Sequence, residues 1–162
     1  MNLDYNEEYK SFEKEVQDFC KQYKDISFSD RAKIPFSAKG GRNKNTIKRS
    51  DWQKILIEKG YFARSVPKKY GGYGGETDIL KSRIIASEFS NFKIPTPMGG
   101  QGIDMLVPTL LELGTEQQKE KYIKPTLHGE MIWCQGYSEP NAGSDLASLQ
   151  TKAELINGEW VI

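Results

Sequence analysis

Histidine and cysteine are scarce in this sequence: His128 stands alone, and Cys20 and Cys134 lie far apart. No tetrahedral metal set and no disulfide framework can be built from them. Metal catalysis is thereby effectively excluded, and the thiols suit a reducing compartment, the cytoplasm. A lone histidine ahead of Gly129 reads as a satisfied or exposed side chain, not a ligand. Charge of one sign is also lacking. Twenty-three Lys and Arg against 22 Asp and Glu leave a net +1, too little for a global field that recruits nucleic acid or a membrane surface. No apolar run approaches the ~18 residues of a membrane span. The first eight residues are acidic and have no apolar centre, so they are neither a secretory signal nor an Arg-rich transit peptide. Internal repeats and low-complexity tracts are missing too. What remains is 162 residues of ordinary soluble composition, 37% hydrophobic and 28% charged, enough for one domain or one domain and part of another.

Tyr9, Phe12, Val16, Phe19, Cys20 and Tyr23 step by three and four, which predicts a helix over 4–24. Glu7 and Glu8 suit its positive end, Lys21 and Lys24 its negative end. The stretch 26–49 is polar, with Pro35, Gly40-Gly41 and the basic residues Lys39, Arg42, Lys44, Lys48 and Arg49. It reads as a long loop. No aromatics are interleaved with the charges, which favours a solvated loop over a nucleic-acid contact, and no Gly precedes a Lys-Ser or Lys-Thr pair, which excludes a Walker loop. Ser50 is expected to cap a helix from Asp51, with Trp52, Ile55 and Leu56 inward and Gly60 as its stop. The Gly-rich stretch 67–75 fits no dinucleotide fingerprint and reads as a tight connector. A further helix is expected from Thr77, burying Leu80, Ile84, Ile85, Phe89 and Phe92 and ended by Pro95-Thr96-Pro97. Residues 102–113 predict a deeply apolar helix through Ile103, Leu106, Val107, Leu110 and Leu111, which Pro108 kinks unless it sits near the start. Thr115 and Gln118 form a capping box for a helix that reaches about Ile123 and breaks at Pro125.

After Gly129-Glu130 the pattern changes to strands. Met131-Ile132-Trp133 reads as a short buried strand, and Leu149, Thr151, Ala153 and Leu155 alternate. Asn157-Gly158 signals a hairpin with Trp160-Val161-Ile162 as the return. The expected fold class is therefore a mostly α N-terminal domain, 1–129, followed by the first strands of an incomplete antiparallel β-domain, 130–162.

The most informative stretch is 133–145, W-C-Q-G-Y-S-E-P-N-A-G-S-D. Pro-Asn and Gly make it an irregular loop, small residues let a ligand approach the backbone, and Ser138 and Ser144 offer hydroxyls. This string resembles the acyl-CoA dehydrogenase signature, a small and an apolar residue followed by S/T-E-P-x-A-G-S-D. Gly136, Tyr137, Ser138, Glu139, Pro140, Ala142, Gly143, Ser144 and Asp145 all fit, and Asn141 stands at a permissive position. The string G-T-E-Q-Q-K at 114–119 resembles the family's G-T-x-x-Q-K connector, and P-K-K-Y-G-G at 67–72 its P-x-x-Y-G-G segment. The resemblance runs in order along essentially the whole chain.

It implies an acyl-CoA dehydrogenase-like helical domain leading into flavin-facing strands, with further strands and a C-terminal four-helix domain absent from the chain. It implies FAD as cofactor. Gln135, Gly136, Tyr137 and Ser138 would meet the pyrimidine edge of the flavin, Gly143 and Ser144 the pyrophosphate, and Ser144 also the acyl-CoA substrate. The implied reaction is oxidation of an acyl-CoA to a 2-enoyl-CoA, with electrons passed to electron-transfer flavoprotein or a similar acceptor. The base would be a glutamate beyond Ile162, so no catalytic residue is assigned here and the chain alone is expected to be inactive. Glu139 reads as a loop-anchoring carboxylate, and Asp145 as a loop stabiliser or cap. The family also implies a homo- or hetero-oligomer, and the W-C-Q-G-Y-S-E-P variant looks like a bacterial branch handling pimeloyl- or steroid-derived acyl-CoA. The alternative is a non-catalytic remnant or subunit that keeps the flavin loop and works by association with a partner chain.

Overall fold

The aromatic stripe folds as helix α1 (Glu7–Tyr23) in the computed structural model of the chain, which describes residues 5–29 and 46–162. Asn6 caps it, its side chain accepting from the Tyr9 amide at 3.0 Å. The expected basic loop falls largely outside the described residues. Its flanks are β1 (Ser27–Phe28) and β2 (Thr46–Ile47), paired in parallel. The contacts divide the chain into two units, Met1–Ile132 and Trp133–Ile162.

In the first unit, Phe19 is the hub of an aromatic core. Its ring stacks on Trp52 and Phe89, with centroids 5.7 and 6.0 Å away, and meets the edge of Tyr61 at 4.9 Å. Helices α1, α2 (Arg49–Glu58) and α3 (Ile79–Asn91) supply this cluster through Val16, Leu56, Ile84 and Ile85. A second cluster of Ile57, Val66, Tyr70, Val107, Ile123 and Leu127 lies under α4 (Val107–Leu113) and α5 (Glu116–Leu127). Helix α2 serves both, with Trp52 and Leu56 in one cluster and Ile57 in the other.

Several element ends differ from the sequence expectation, each for a local reason. Ser50 does not cap α2: Lys48 leaves β2 with extended backbone, and the helix begins at Arg49 without a side-chain cap. Helix α3 starts at Ile79, not Thr77, because the Asp78 carboxylate accepts from the Lys81 amide at 2.9 Å. This rotates Leu80 to 40% exposure. The helix ends at Asn91, ahead of the prolines, where Lys93 turns the chain at φ +56°. Residues Gly102–Leu106 form a wider π turn ahead of α4, and Pro108 falls in the first turn of α4, where its missing N–H is not needed. Of the residues expected along this helix, Val107 is buried and Ile103, Leu106, Leu110 and Leu111 are half-buried, while Leu113 at its end is exposed.

Helix α5 carries the capping box, with Thr115 and Gln118 bonded reciprocally at 3.3 and 2.8 Å. It does not break at Pro125. A proline inside a helix costs about 3 kcal/mol, whereas each fully buried aliphatic side chain contributes about 1.5–3 kcal/mol. Ile123 and Leu127, on either side of it, are both buried in the second cluster. The helix stops instead at Gly129, left-handed at φ +70°, where the Glu130 amide donates to the Pro125 carbonyl and the Gly129 amide to that of Thr126.

In the second unit, β3 (Glu154–Ile156) and β4 (Glu159–Val161) pair antiparallel, with Leu155 opposite Trp160. Asn157 at φ +52° and Gly158 at φ +85° form the two-residue turn. Met131-Ile132-Trp133 is not a strand, and Ile132 is 94% exposed. Residues 149–153 are not in a strand either: with Val161 opposite Glu154, no partner strand reaches them among the described residues.

The deepest polar group is Gln53, with no exposed surface. Its Nε2 donates to the Leu127 carbonyl at 3.1 Å and its Oε1 accepts from the Met98 amide at 2.8 Å. Gln53→Leu keeps the bulk but strands a buried carbonyl and a partly buried amide, so stability should fall by about 3 kcal/mol. An unchanged urea midpoint would show that water replaces both bonds.

A second polar tie binds the connector to α5. Glu116 accepts from the Tyr70 hydroxyl at 2.6 Å and from Lys69 at 3.0 Å, with Lys119 at 3.5 Å. Tyr70 first, then Lys69, holds the Glu116 carboxyl down at about 2. A carboxyl depressed in the folded state stabilises above its unfolded value, near 4.3, and that gain is lost as pH falls toward 2. Glu116→Gln should therefore lower the urea midpoint at pH 7, and the gap to wild type should close as the pH is lowered from 5 toward 2.

Candidate functional site

The Trp133–Ile162 unit contains all the residues singled out as cofactor contacts. Its centre is a four-residue turn, Glu139-Pro140-Asn141-Ala142, in which Glu139 and Ala142 exchange two backbone hydrogen bonds of 3.0 and 3.1 Å. Proline favours the start of such a turn and asparagine tolerates its tightest point. Ala142 is tucked in and buried. The Glu139 carboxylate then reaches along the chain. One oxygen accepts from the amides of Gln150 and Thr151 at 3.1 and 2.6 Å, and the other lies 3.0 Å from the Gln150 amide. The Thr151 side chain, followed by the two amides, holds the Glu139 carboxyl below the ordinary carboxylate range.

A single 3-10 turn, Leu146–Ser148, completes the loop. Ser148 Oγ donates to the Asp145 carbonyl at 2.9 Å and to that of Asn141 at 3.4 Å. The Asp145 side chain makes no capping bond there. Its backbone carbonyl, not its carboxylate, stabilises the loop, contrary to the sequence expectation.

Gln135, Gly136, Tyr137 and Ser138 lie just before the turn and Gly143 and Ser144 just after it, all exposed. Among the described residues, the amides of Gly136, Tyr137, Ser138, Gly143 and Ser144 enter no hydrogen bond, nor do the Ser138 and Ser144 hydroxyls. The glycines add space to these donors. A Cβ at Gly136 or Gly143 would meet nothing within 4 Å, and neither residue has a left-handed φ. A Cβ at Gly72 would instead collide with the Val66 carbonyl oxygen. Packing within the chain thus demands glycine at 72 but not at 136 or 143, which leaves the last two open to a ligand approaching the backbone.

The helical unit holds a cavity of about 450 Å³ that the sequence did not reveal, lined by residues such as Tyr61, Arg64, Thr77, Ser82, Ile85 and Phe89. Several of its polar groups are already engaged: Arg64 donates to the Glu76 and Gly60 carbonyls, and Ser82 to that of Asp78. No group of three potential metal ligands occurs among the described residues. Burial, then the charge of Glu88, pushes the Cys20 thiol up to about 11, which keeps it inert. Burial, then the charge of Lys54, holds His128 below its usual value, against the opposing pull of Glu130 at 3.8 Å.

The family model for the acyl-CoA dehydrogenase N-terminal domain matches residues 6–130. This chain belongs to the acyl-CoA dehydrogenase family. The match rests on the helical unit and stops short of 133–145, so the signature loop is a separate line of resemblance. Over 114 residues the chain is 37% identical to acyl-CoA dehydrogenase IpdE1 of Mycobacterium tuberculosis, covering 70% of this chain and 29% of that protein. It is 41% identical over 96 residues to the short-chain specific acyl-CoA dehydrogenase of Clostridium acetobutylicum, covering 59% of this chain and 25% of that one. Among solved structures, the Tcur3481-Tcur3483 steroid acyl-CoA dehydrogenase superposes with a TM-score of 0.58 at 29% identity, over 99% of this chain and 39% of that one. The ChsE4-ChsE5 complex from Mycobacterium tuberculosis gives 0.57 at 25% identity, over 94% and 36%. The chain thus spans less than a third of the length of the curated acyl-CoA dehydrogenases it matches.

The glycine contrast is testable by urea denaturation. Gly136→Ala and Gly143→Ala should leave stability within about 0.5 kcal/mol of wild type, while Gly72→Ala should cost about 1–3 kcal/mol through overpacking. Equal losses at 143 and 72 would make Gly143 structural.

Proposed function

We propose that this chain supplies the N-terminal helical domain and the flavin loop of an FAD-dependent acyl-CoA dehydrogenase. The complete enzyme would oxidise an acyl-CoA thioester to a 2-enoyl-CoA and pass the electrons to a carrier flavoprotein. One observation carries the reading. The segments 136–138 and 143–144 present unspent amides and two serine hydroxyls, with glycines at 136 and 143 that the fold itself does not require.

Those groups fit a flavin dinucleotide chemically. Neutral N–H and O–H donors suit the carbonyl-rich pyrimidine edge and the pyrophosphate oxygens, and open glycines let the backbone come close. Gln135, Gly136, Tyr137 and Ser138 would hold the pyrimidine edge, and Gly143 and Ser144 the pyrophosphate, with Ser144 also facing the acyl-CoA. FAD, when bound, supplies the acceptor for the hydride leaving the β-carbon. Amide donors at the pyrimidine edge would stabilise the negative charge that accumulates there. Removal of the α-proton needs a base, which we assign to a glutamate outside these residues, because the Glu139 carboxylate is already committed to Gln150 and Thr151. Two neighbouring structures carry names of two different subunits, ChsE4-ChsE5 and Tcur3481-Tcur3483, which supports assembly with a second, related chain. The word steroid in the latter name favours a bulky acyl group.

Flavin fluorescence and absorbance titrations, with the chain alone and with the remaining domains of an acyl-CoA dehydrogenase added in trans, test the proposal. FAD should bind tightly only in the second setting, and Ser144→Ala should weaken it about tenfold or more, one hydrogen bond to a charged oxygen. No binding in either setting would instead support a non-catalytic subunit that acts by association.

A further inference from the structure

We propose that Glu139 is the positioning residue of the flavin loop: its carboxylate holds segments 135–138 and 143–144 in the arrangement that receives the cofactor. The inference rests on the FAD reading above and goes beyond it in naming what shapes the site. Glu139 lies between the two segments and is bonded in three directions. Its amide donates to the Ala142 carbonyl, its carbonyl accepts from the Ala142 amide, and its side chain gathers the Gln150 and Thr151 amides. One residue thus closes the turn that separates the segments and ties that turn to the chain entering β3.

Apolar burial gives this loop little shape. From 133 to 151, Ala142 is the one residue classed as buried, so apolar packing contributes little. The 3-10 turn and the Ser148 hydroxyl close the section 141–149 but do not reach 150 or 151. Hydrogen bonds to an ionised acceptor are about twice as strong as neutral ones, so the Glu139 bonds dominate. The Gln150 and Thr151 amides belong to exposed residues, and water can satisfy them once the carboxylate is gone. Loss of Glu139 should therefore release the loop without unfolding the chain. Glutamine in its place keeps the length but has one acceptor oxygen, with an NH₂ group facing the second donor. It should hold the loop only in part.

The experiment compares wild type, Glu139→Gln and Glu139→Ala in the complex that binds FAD in the titration above. It reads FAD affinity, the visible absorption band of bound flavin, and amide hydrogen exchange at Gln150 and Thr151. Affinity should fall about tenfold or more for alanine and less for glutamine, the flavin band should move toward that of free FAD, and the two amides should lose protection. Far-UV circular dichroism and the thermal transition should stay as in wild type, which a merely structural role would not allow. Wild-type affinity and spectrum in Glu139→Ala would overturn the proposal, as would unchanged exchange at both amides. If wild type binds no FAD at all, the cofactor reading fails and takes this proposal with it. Faster exchange in Glu139→Ala would then show that the clamp itself is real and the flavin assignment wrong.

Discussion

The two hydrogen bonds of the Gln53 amide are the constraint on which the helical unit turns. A carboxamide without exposed surface must find partners for its oxygen and nitrogen, because an unmet buried polar group costs as much as a bad cavity. Gln53 finds the Met98 amide and the Leu127 carbonyl. It thereby sets the end of α5 and the segment before the π turn against α2. Its neighbour Trp52 donates from Nε1 to the Pro95 carbonyl at 3.0 Å, so consecutive residues of one helix pin two points of the same irregular segment. Apolar burial supplies most of the stability of such a unit, but it is not directional. The polar pair chooses which of many similar packings is adopted.

The loop of the second unit solves the opposite problem. It is exposed, nearly without a core, and leaves the backbone amides at 136–138 and 143–144 unspent. A carboxylate that binds amides further along the chain achieves this: the loop is tied by its far end, at 150 and 151, and the amides at 136–138 and 143–144 stay available. Helical and loop units therefore use buried and exposed polar side chains to the same end, orientation.

Much of the helical architecture was legible in the sequence. The stripe from Tyr9 to Tyr23, the Thr115–Gln118 box and the Asn157-Gly158 turn are signals in which local and tertiary preferences agree. The failures occurred where they compete. Asp78 displaced Thr77 because a carboxylate one residue on is as good an acceptor and better placed. Pro125 was overruled by the burial of Ile123 and Leu127. Leu149 to Ala153 alternate correctly, but alternation cannot create a partner strand. In the loop, the sequence pointed to an anchoring role for Glu139, which the structure bears out. Its anchors, however, sit at a separation no local rule anticipates. Gln53 was missed for a related reason: on an otherwise apolar face a single amide looks like an interruption, and only the fold shows it at the junction of three segments.

The contrast between the two thiols has a practical consequence. Cys20 is sealed between α1 and its neighbours and its thiol is held near 11, whereas Cys134 is exposed at the entrance to the loop. A maleimide dye or nitroxide applied to the native chain should therefore attach to one place, next to Gln135, without any engineering. The loop comes with its own attachment point for a spectroscopic probe.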